Sequence, residues 1–310
     1  MKNTKISFLM AAHNEERIIG RNLENLSNLP YDNYEIIIGL DGCTDKTEEI
    51  VKKFERKSGK IRHYNLNIRK GKPFVIDNII KKSRGEIVIV IDADWIFKVE
   101  NKRQMNEFVS IFKNEKIGGI AESFPVEWDE NKIRGSNFGY KMVAYSSYFW
   151  FEYQKKRFAE KKDDLIRLKT NKMFLTNIFR RKLYKKNITL GDDFERTEEI
   201  MKRGYDVILF EKMEMPRMVA IYDEIPIRGL FKQKIRTGMA REQMNQLGRK
   251  KIGFWNYYLP AVWYLFFNSW KKSIYAGIAT TAWIALTIAA TFASKLRKKD
   301  TRKGWALRFR

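Results

Sequence analysis

Short apolar runs alternate with amphipathic stretches along the first two hundred positions of the chain. The runs that predict strands are residues 5–12 (KISFLMAA), 34–40 (YEIIIGL), 61–66 (IRHYNL) and 86–92 (EIVIVID). The stretches that predict helices are residues from about 15 onward, 45–54 and 74–82. Strands separated by helices indicate βαβ units and a mostly parallel central sheet, so the expected fold class is α/β.

The fourth apolar run ends in two acids separated by one alanine, in the stretch IVIVIDADW (87–95). A continuous apolar run is typical of a strand covered on both faces, and open α/β sheets bind ligands at the carboxyl ends of their strands. Either acid alone is as readily explained as a helix cap or a turn residue. Together, Asp92 and Asp94 predict a site for a divalent metal, magnesium or manganese, that bridges phosphate oxygens.

The carboxyl-terminal third has a different pattern. Residues 273–294 carry no formal charge, and a helix of this length covers the roughly 30 Å hydrocarbon core of a bilayer. We therefore expect an α/β domain at 1–248, an aromatic interfacial or membrane-inserted segment at 249–272, a transmembrane helix at 273–294 and a basic tail at 295–310. A buried helix of a soluble protein is the alternative for 273–294.

Charge limits the possible partners. The formal net charge is +24, which suits a nucleic acid, an anionic membrane or a phosphorylated substrate. The basic tail favours a cell-membrane location with residues 1–248 on the cytoplasmic side, because basic segments stay on that side. The lone cysteine, Cys43, fits a reducing compartment. A basic nucleic-acid-binding protein is the alternative of another class, although no recognised binding motif organises the lysines.

Phosphate-binding glycine motifs are missing from the expected places. A dinucleotide-binding fold would have a glycine-rich turn after the first strand, and a P-loop would have glycines before a Lys-Ser or Lys-Thr pair. This chain has AAHNEERIIG there instead. A metal and cationic side chains are therefore the expected phosphate ligands.

Four stretches in order, AAHNEE, IIIGLDGCTDKT, RKGKP and GEIVIVIDADW, resemble the nucleotide-sugar half of glycosyltransferase family 2, which has the GT-A fold. The resemblance runs from about residue 5 to residue 241. It implies that Asp41 contacts the nucleoside, and that Asp92 and Asp94 hold the sugar phosphate and the metal. The family commonly has two acids where this chain has Leu40 and Asp41.

A second acidic pair opens the stretch LGDDFERTEEIMKRGY. Asp193 resembles the family's general base, which removes a proton from the acceptor hydroxyl. A helix amino terminus is expected to keep the pKa of such a carboxyl low. If the acceptor is a lipid phosphate, it is already ionised and Asp193 would only position it. Asp192 and Glu195 fit a capping box, which gives Asp192 a structural role.

The stretch IPIRGLFKQKIRTGMAR resembles the family's Gln-x-x-Arg-Trp segment, with Thr237 in place of tryptophan. The resemblance implies that Gln233 and Arg236 bind the nucleotide sugar, with Arg236 on the leaving diphosphate. Lys72, with Arg69, would assist from the other side. A solvated or membrane-facing surface is the alternative for this basic helix.

The resemblance implies an inverting, metal-dependent glycosyltransferase of the hexosyltransferase type. Its expected donor is a nucleotide-diphosphate sugar. Its expected acceptor is a lipid-linked molecule, a glycan or another membrane-proximal molecule that receives one or few sugars. At most two spans cannot form a polymer conduit, and Thr237 lacks a ring that could hold a glycan. A processive polysaccharide synthase of the same fold is the alternative.

Overall fold

The computed structural model describes residues 4–122, 126, 128–170, 175–186, 191–209, 216–246, 255 and 258–295. The chain divides into two compact units. The first comprises Met1–Glu122, Lys161–Ile188 and Asp192–Ile221, and the second comprises Ser123–Glu160, Thr189–Gly191 and Tyr222–Arg310.

The strands, in chain order, are β1 Ile6–Ala12, β2 Tyr34–Leu40, β3 Ile61–Asn65, β4 Ile87–Val90, β5 Trp95–Lys98, β6 Ile117–Glu122, β7 Ala159–Lys162, β8 Leu165–Leu168, β9 Leu175–Arg180, β10 Asp206–Leu209 and β11 Arg217–Ala220. The α-helices are α1 Ile19–Ser27, α2 Thr47–Lys57, α3 Lys72–Ile80, α4 Lys102–Ile111, α5 Glu130–Gly135, α6 Phe138–Phe158, α7 Asp192–Lys202, α8 Ile227–Gln246, α9 Leu259–Lys272 and α10 Ile274–Lys295.

A nine-stranded sheet has the order β3-β2-β1-β4-β9-β6-β10-β8-β7, and β5 and β11 form a separate antiparallel pair. The α/β prediction is confirmed, and the first four strands are parallel. Beyond β4 the sheet is mixed, because β9 runs antiparallel to both β4 and β6. A strand covered on both faces is apolar whatever its direction, so the sequence pattern did not distinguish parallel from antiparallel strands.

The core of the first unit lies around β1, β2 and β4, whose residues are all buried. Phe97 of β5 packs edge-to-face between Phe8 of β1 and Phe108 of α4, with ring centroids 5.3 and 5.8 Å apart. Such aromatic contacts add to the hydrophobic stabilisation of the sheet. The core thereby fixes the carboxyl ends of β1, β2 and β4 relative to one another.

The first helix begins later than the sequence predicted, at Ile19 rather than about Glu15. The backbone N–H of Glu15 donates to Thr47 Oγ1 at 2.7 Å, and that of Glu16 donates to Asp45 Oδ2 at 3.1 Å. Asn14 has a positive φ of 54°. The loop after β1 is therefore tied to the loop after β2, and the helix starts only beyond this anchor.

The second unit contains α5, α6, α8, α9 and α10. Its core includes Tyr140 and Phe149 of α6, Leu265 of α9 and Ala279 of α10. Among the described residues, α10 is the one helix long and apolar enough to cross a membrane, and it coincides with the predicted segment 273–294. Of the predicted segment 249–272, residues 255 and 258–272 are described, and 259–272 form α9. Residues 296–310 of the predicted tail lie outside the described residues.

Gly39 of β2 allows α3 to approach the sheet closely. A Cβ at this position would lie 2.2 Å from Val75 Cγ1 and 3.1 Å from Ile79 Cγ2, both side chains of α3. Overpacking a filled core forces neighbouring side chains and backbone to move. Gly39 therefore sets the distance of α3 from the strands.

We expect Gly39→Ala to destabilise the protein by about 1–3 kcal/mol, the usual cost of overpacking. The melting temperature measured by differential scanning fluorimetry should fall by several degrees. Gly59→Ala is the matched control, because a Cβ at Gly59 meets no atom within 4 Å. Equal melting temperatures for the two variants would contradict this account of α3 packing.

Candidate active site

Asp92 and Asp94 lie in a turn directly after β4. The side-chain amide of Asn22, a fully buried residue of α1, donates to the Asp92 carbonyl at 2.9 Å and also to the Trp95 carbonyl. The carbonyl of Asp94 accepts from the N–H of Ile221 at 2.8 Å. Two separate parts of the chain thus hold the backbone of this turn. The backbone position of the buried residue Asp94 is therefore fixed.

Lys72 lies between two carboxylates from different parts of the chain. Its Nζ is 3.0 Å from Asp92 Oδ1 and 3.8 Å from Asp192 Oδ2. Burial opposes the charged form of Lys72, but Asp192 and Asp92 outweigh burial and raise the pKa of its ammonium. Lys72 is therefore a fixed positive charge beside the acids that follow β4.

Asp41 holds the loop from which α3 begins. The residue is fully buried, and its carboxylate oxygens accept from the backbone N–H groups of Lys70 at 2.6 Å and Gly71 at 2.8 Å. Gly42 has a φ of +63°, and a Cβ there would lie 2.8 Å from the backbone N of Arg69. Asp41 thus positions the start of α3 and its first residue, Lys72. Its contact with a nucleoside stays a prediction.

The amino end of α7 carries a buried ion pair. Arg196 is 3% exposed and donates to Asp192 Oδ2 at 2.7 Å, to the Thr176 carbonyl at 2.8 Å and to Asn177 Oδ1. Arg196 and Lys72 are both cations beside Asp192, and they lower the pKa of its carboxyl against the effect of burial. Asp192 is therefore part of the charge network and not only the helix-start residue that the sequence suggested.

The pKa of the neighbouring residue, Asp193, is shifted in the opposite direction. Burial and the adjacent Asp192 carboxylate raise the pKa of Asp193 to about 6. The Phe194 N–H donates to Asp193 Oδ1 at 2.9 Å, and this contact at the start of the helix lowers the pKa of Asp193. The lowering is smaller than the increase caused by burial and by Asp192. The expectation that the helix terminus would keep this pKa low was therefore wrong. A carboxylate with a pKa near 6 is suited to accept a proton near neutral pH.

Asp92 and Asp94 fit a metal ion that takes its remaining ligands from substrate phosphates and water. Among the described residues, no three His, Cys, Asp or Glu side chains form a cluster that could hold a metal ion. Asp92 and Asp94 supply hard oxygen donors, and magnesium sites commonly combine one or two carboxylates with substrate phosphates and water. This donor set matches a diphosphate-bound magnesium or manganese better than a preformed protein cage.

Gln233 and Arg236 lie on α8, in the second unit, and both are partly buried. Helix α8 is fixed within that unit, because Ile235 and Met239 pack against Ala290 of α10. The structure brings Asp41, Lys72, Asp92 and Asp192 together in the first unit. Roles for Gln233 and Arg236 stay predictions.

Two important residues were missed at the sequence level. Asn22 is a polar residue on the apolar face of α1, and its burial is the signal that could have identified it. Arg196 follows Asp192 by four residues, the spacing at which side chains on one face of a helix meet. In both cases a polar side chain stands where the periodicity expects a buried position.

The family model described as Glycosyl transferase family 2 matches residues 7–188. That span includes β1 to β4, Asp41, Lys72 and the two acids after β4. The chain therefore belongs to glycosyltransferase family 2, and its fold is the GT-A fold.

The chain is similar to several named proteins. A poly-β-1,6-N-acetyl-D-glucosamine synthase of Staphylococcus epidermidis is 33% identical over 116 residues, which are 37% of this chain and 27% of that protein. A β-monoglucosyldiacylglycerol synthase of Nostoc sp. is 33% identical over 119 residues, 37% of this chain and 25% of that protein. The chain thus matches about a quarter of the length of these relatives.

Among solved structures, the mannosyltransferase PcManGT from Pyrobaculum calidifontis, in complex with GDP-Man and Mn²⁺, superposes with a TM-score of 0.57. The sequences are 18% identical, and the match covers 98% of this chain and 84% of that one. At this identity the likeness supports the fold.

Removing one partner of the buried Asp192–Arg196 pair is expected to cost more stability than removing both charges. Arg196→Met leaves the Asp192 carboxylate without its closest cation, so we expect a loss of about 3–5 kcal/mol in stability. Asp192→Asn combined with Arg196→Met should recover part of this loss.

Thermal unfolding of the three proteins measures both effects. Lys202→Met is the matched control, because the Lys202–Glu198 pair is on the same helix but the Lys202 side chain is 56% exposed, and such pairs contribute at most about 1 kcal/mol. A melting temperature for Arg196→Met equal to that of the control would contradict the importance of the buried pair.

Proposed function

We propose that the protein is an inverting, metal-dependent glycosyltransferase of the hexosyltransferase type. It transfers a sugar from a nucleotide-diphosphate sugar to a lipid-linked or other membrane-proximal acceptor. The observation that carries this proposal is the meeting of Asp92, Lys72 and the start of α7 in one charge network at the carboxyl end of β4. Family membership supports the reaction class.

The donor's diphosphate is the ligand that this network suits. Asp94 and Asp92 would hold a magnesium or manganese ion, which supplies positive charge to the leaving nucleoside diphosphate. Lys72 contributes a second positive charge that is fixed in place by two carboxylates. Fixed charges favour the transition state because they need no reorganisation as the glycosidic bond breaks.

Arg236 and Gln233 are assigned to the donor by their resemblance to the family's motif. Arg236 would bind the leaving diphosphate, with Gln233 one helical turn before it. Asp41 would contact the nucleoside, either directly or through the loop that its carboxylate holds. Each of these roles belongs to the proposal.

Asp193 is the proposed general base. The acceptor hydroxyl attacks the anomeric carbon from the face opposite the leaving diphosphate, and Asp193 accepts the hydroxyl proton during that attack. Because its pKa is about 6, the carboxylate is mostly ionised at pH 7 while keeping more basicity than an ordinary aspartate. With a lipid phosphate as acceptor, Asp193 would position rather than deprotonate.

The acceptor class is proposed with reference to the similar proteins. One of them is named for a glycolipid and another for a polysaccharide. We propose one or few additions per encounter, because Thr237 provides no ring on which a growing glycan could stack. We also propose a cell-membrane location with the first unit on the cytoplasmic side.

The direct test is incubation of the full chain in membranes with a panel of nucleotide sugars and manganese or magnesium. Release of nucleoside diphosphate that depends on one sugar nucleotide and on acceptor supports the proposal. Absence of turnover with every donor contradicts it. Product length under limiting enzyme and excess acceptor then separates the alternatives, since long chains beside unused acceptor would favour a processive polysaccharide synthase.

Two aspartate variants should divide donor binding from chemistry. We expect Asp94→Asn to weaken nucleotide-sugar binding in a metal-dependent manner and to remove most turnover, because an amide is a poorer ligand for a hard cation. Asp193→Asn should leave donor binding nearly unchanged and lower kcat by about 10²–10⁴-fold. Calorimetric titration and initial rates measure the two effects. Equal loss of donor binding in both variants would contradict the assignment.

The raised pKa of Asp193 predicts a pH dependence. The base form increases with pH, so kcat/KM should rise about tenfold per unit below pH 6 and level off above it. The residual activity of Asp193→Asn should lack this rise if the acceptor is a hydroxyl. Persistence of the same rise in Asp193→Asn would instead assign it to an ionising acceptor such as a lipid phosphate.

A further inference from the structure

Helices α9 and α10 present an exposed apolar surface in the second unit. On α9 the exposed rings recur at the spacing of one helix face, and on α10 the exposed aliphatic and aromatic side chains do the same. The residues of this surface, called the apolar face below, are Trp263, Phe267, Trp270, Ile274, Tyr275, Ile278, Ile288 and Phe292. Tyr275 is 78% exposed and Phe292 is 66% exposed.

The parts of the apolar face on the two helices adjoin each other. The indole of Trp270 lies against Gly277, where a Cβ would come within 2.4 Å of the ring. Its Nε1–H donates to Thr281 Oγ1 at 3.2 Å. Trp270 therefore joins the exposed residues of α9 to Ile274 and Ile278, which flank Gly277 on α10.

The other side of α10 packs on charged helices of the same unit. Gly238 of α8 lies against Ser294, since a Cβ there would be 2.4 Å from Ser294 Oγ. The ammonium of Lys234, also on α8, lies 4.1 Å from the ring centroid of Trp283, near the middle of α10. At the turn between α9 and α10, Lys272 pairs with Glu130 of α5 at 3.0 Å.

These contacts are incompatible with hydrocarbon around the whole of α10. A spanning α10 would carry Lys234, which lies against Trp283 near the middle of that helix, toward the bilayer centre. Charged side chains inside the hydrocarbon cost several kcal/mol each, whereas a helix with one apolar side is stable when it lies in the interface plane. The packing of α10 matches the second arrangement.

We propose that α9 and α10 attach the protein to a single leaflet of a lipid bilayer, with their axes near the membrane plane and the apolar face among the acyl chains. The proposal rests on the membrane location proposed above and replaces the spanning helix expected from the sequence. The charged residues of these two helices are Lys271, Lys272 and Lys295. Such charges complement anionic head groups, whereas a second copy of the chain would bring like charges together.

The first test is binding of the purified full chain to vesicles of phosphatidylcholine with and without phosphatidylglycerol. We expect cosedimentation that resists high salt. Phe267→Asp combined with Ile278→Asp should reduce binding at least tenfold with folding unchanged by circular dichroism. Ile227→Asp is the matched control, an exposed isoleucine of α8 outside the apolar face. Binding that salt alone abolishes, or that the double variant retains, would overturn the proposal.

The second test distinguishes helices that lie in the membrane plane from helices that span the bilayer. In a Cys43→Ser background, Lys57→Cys reports the first unit, Lys271→Cys reports the turn between α9 and α10, and Lys295→Cys reports the carboxyl end of α10. All three positions are exposed. In-plane attachment predicts that an impermeant maleimide labels all three from the same side of the membrane. Labelling of Lys271→Cys or Lys295→Cys from the side opposite Lys57→Cys would overturn it.

Three further outcomes are informative. A change of oligomeric state in the Phe267 and Ile278 variant, without loss of vesicle binding, would assign the apolar face to a second copy and overturn the proposal. Failure to bind vesicles while sugar-nucleotide turnover persists would overturn the attachment alone. Attachment without any turnover would instead contradict the proposed function.

Discussion

Lys72 is the charge on which the geometry of the candidate site depends. It contacts Asp92, which follows β4, and Asp192, which begins α7, so it links two residues that are 100 positions apart in the chain. A poorly hydrated ammonium is stable only when it is paired, and an unpaired carboxylate in the same place would be equally costly. The network therefore requires β4, α3 and α7 to be positioned together, and each supplies a charge that compensates another.

The surrounding structure supports this arrangement through close packing and hydrogen bonds. Gly39 lets α3 approach the sheet, and Asp41 fixes the loop that precedes Lys72. Asn22 holds the turn that carries Asp92. These residues keep the charged groups at a constant separation, which is the condition under which fixed charges stabilise a transition state better than water does.

Adjacent carboxyls at the start of α7 have different proton affinities because their neighbours differ. Asp192 has Arg196 and Lys72 beside it, whereas Asp193 has the Asp192 charge next to it. Environments that separate the pKa values of two nearby acids give them different roles. The structure thereby distinguishes a charge-network residue from the proposed base.

The sequence predicted those parts of the molecule that local pattern determines. Strands β1 to β4 and α10 were located nearly to the residue, because long apolar runs and uncharged segments depend little on context. The direction of β9, the start of α1 at Ile19 and the network of Arg196 were not predicted, because they arise from contacts distant in sequence. The prediction of a low pKa for Asp193 was wrong because burial, which depends on the whole fold, and the adjacent Asp192 outweigh the helix terminus.

The most direct measurement of the central claim is calorimetric titration of the protein with a panel of nucleoside diphosphates, with and without manganese. The account predicts manganese-dependent binding of at least one of them, and binding at least tenfold weaker in Lys72→Met. Lys81→Met, at the carboxyl end of the same helix and with a side chain 66% exposed, should bind as the wild type does. Unchanged affinity in Lys72→Met would contradict the claim that Lys72 and the acids after β4 form one diphosphate site.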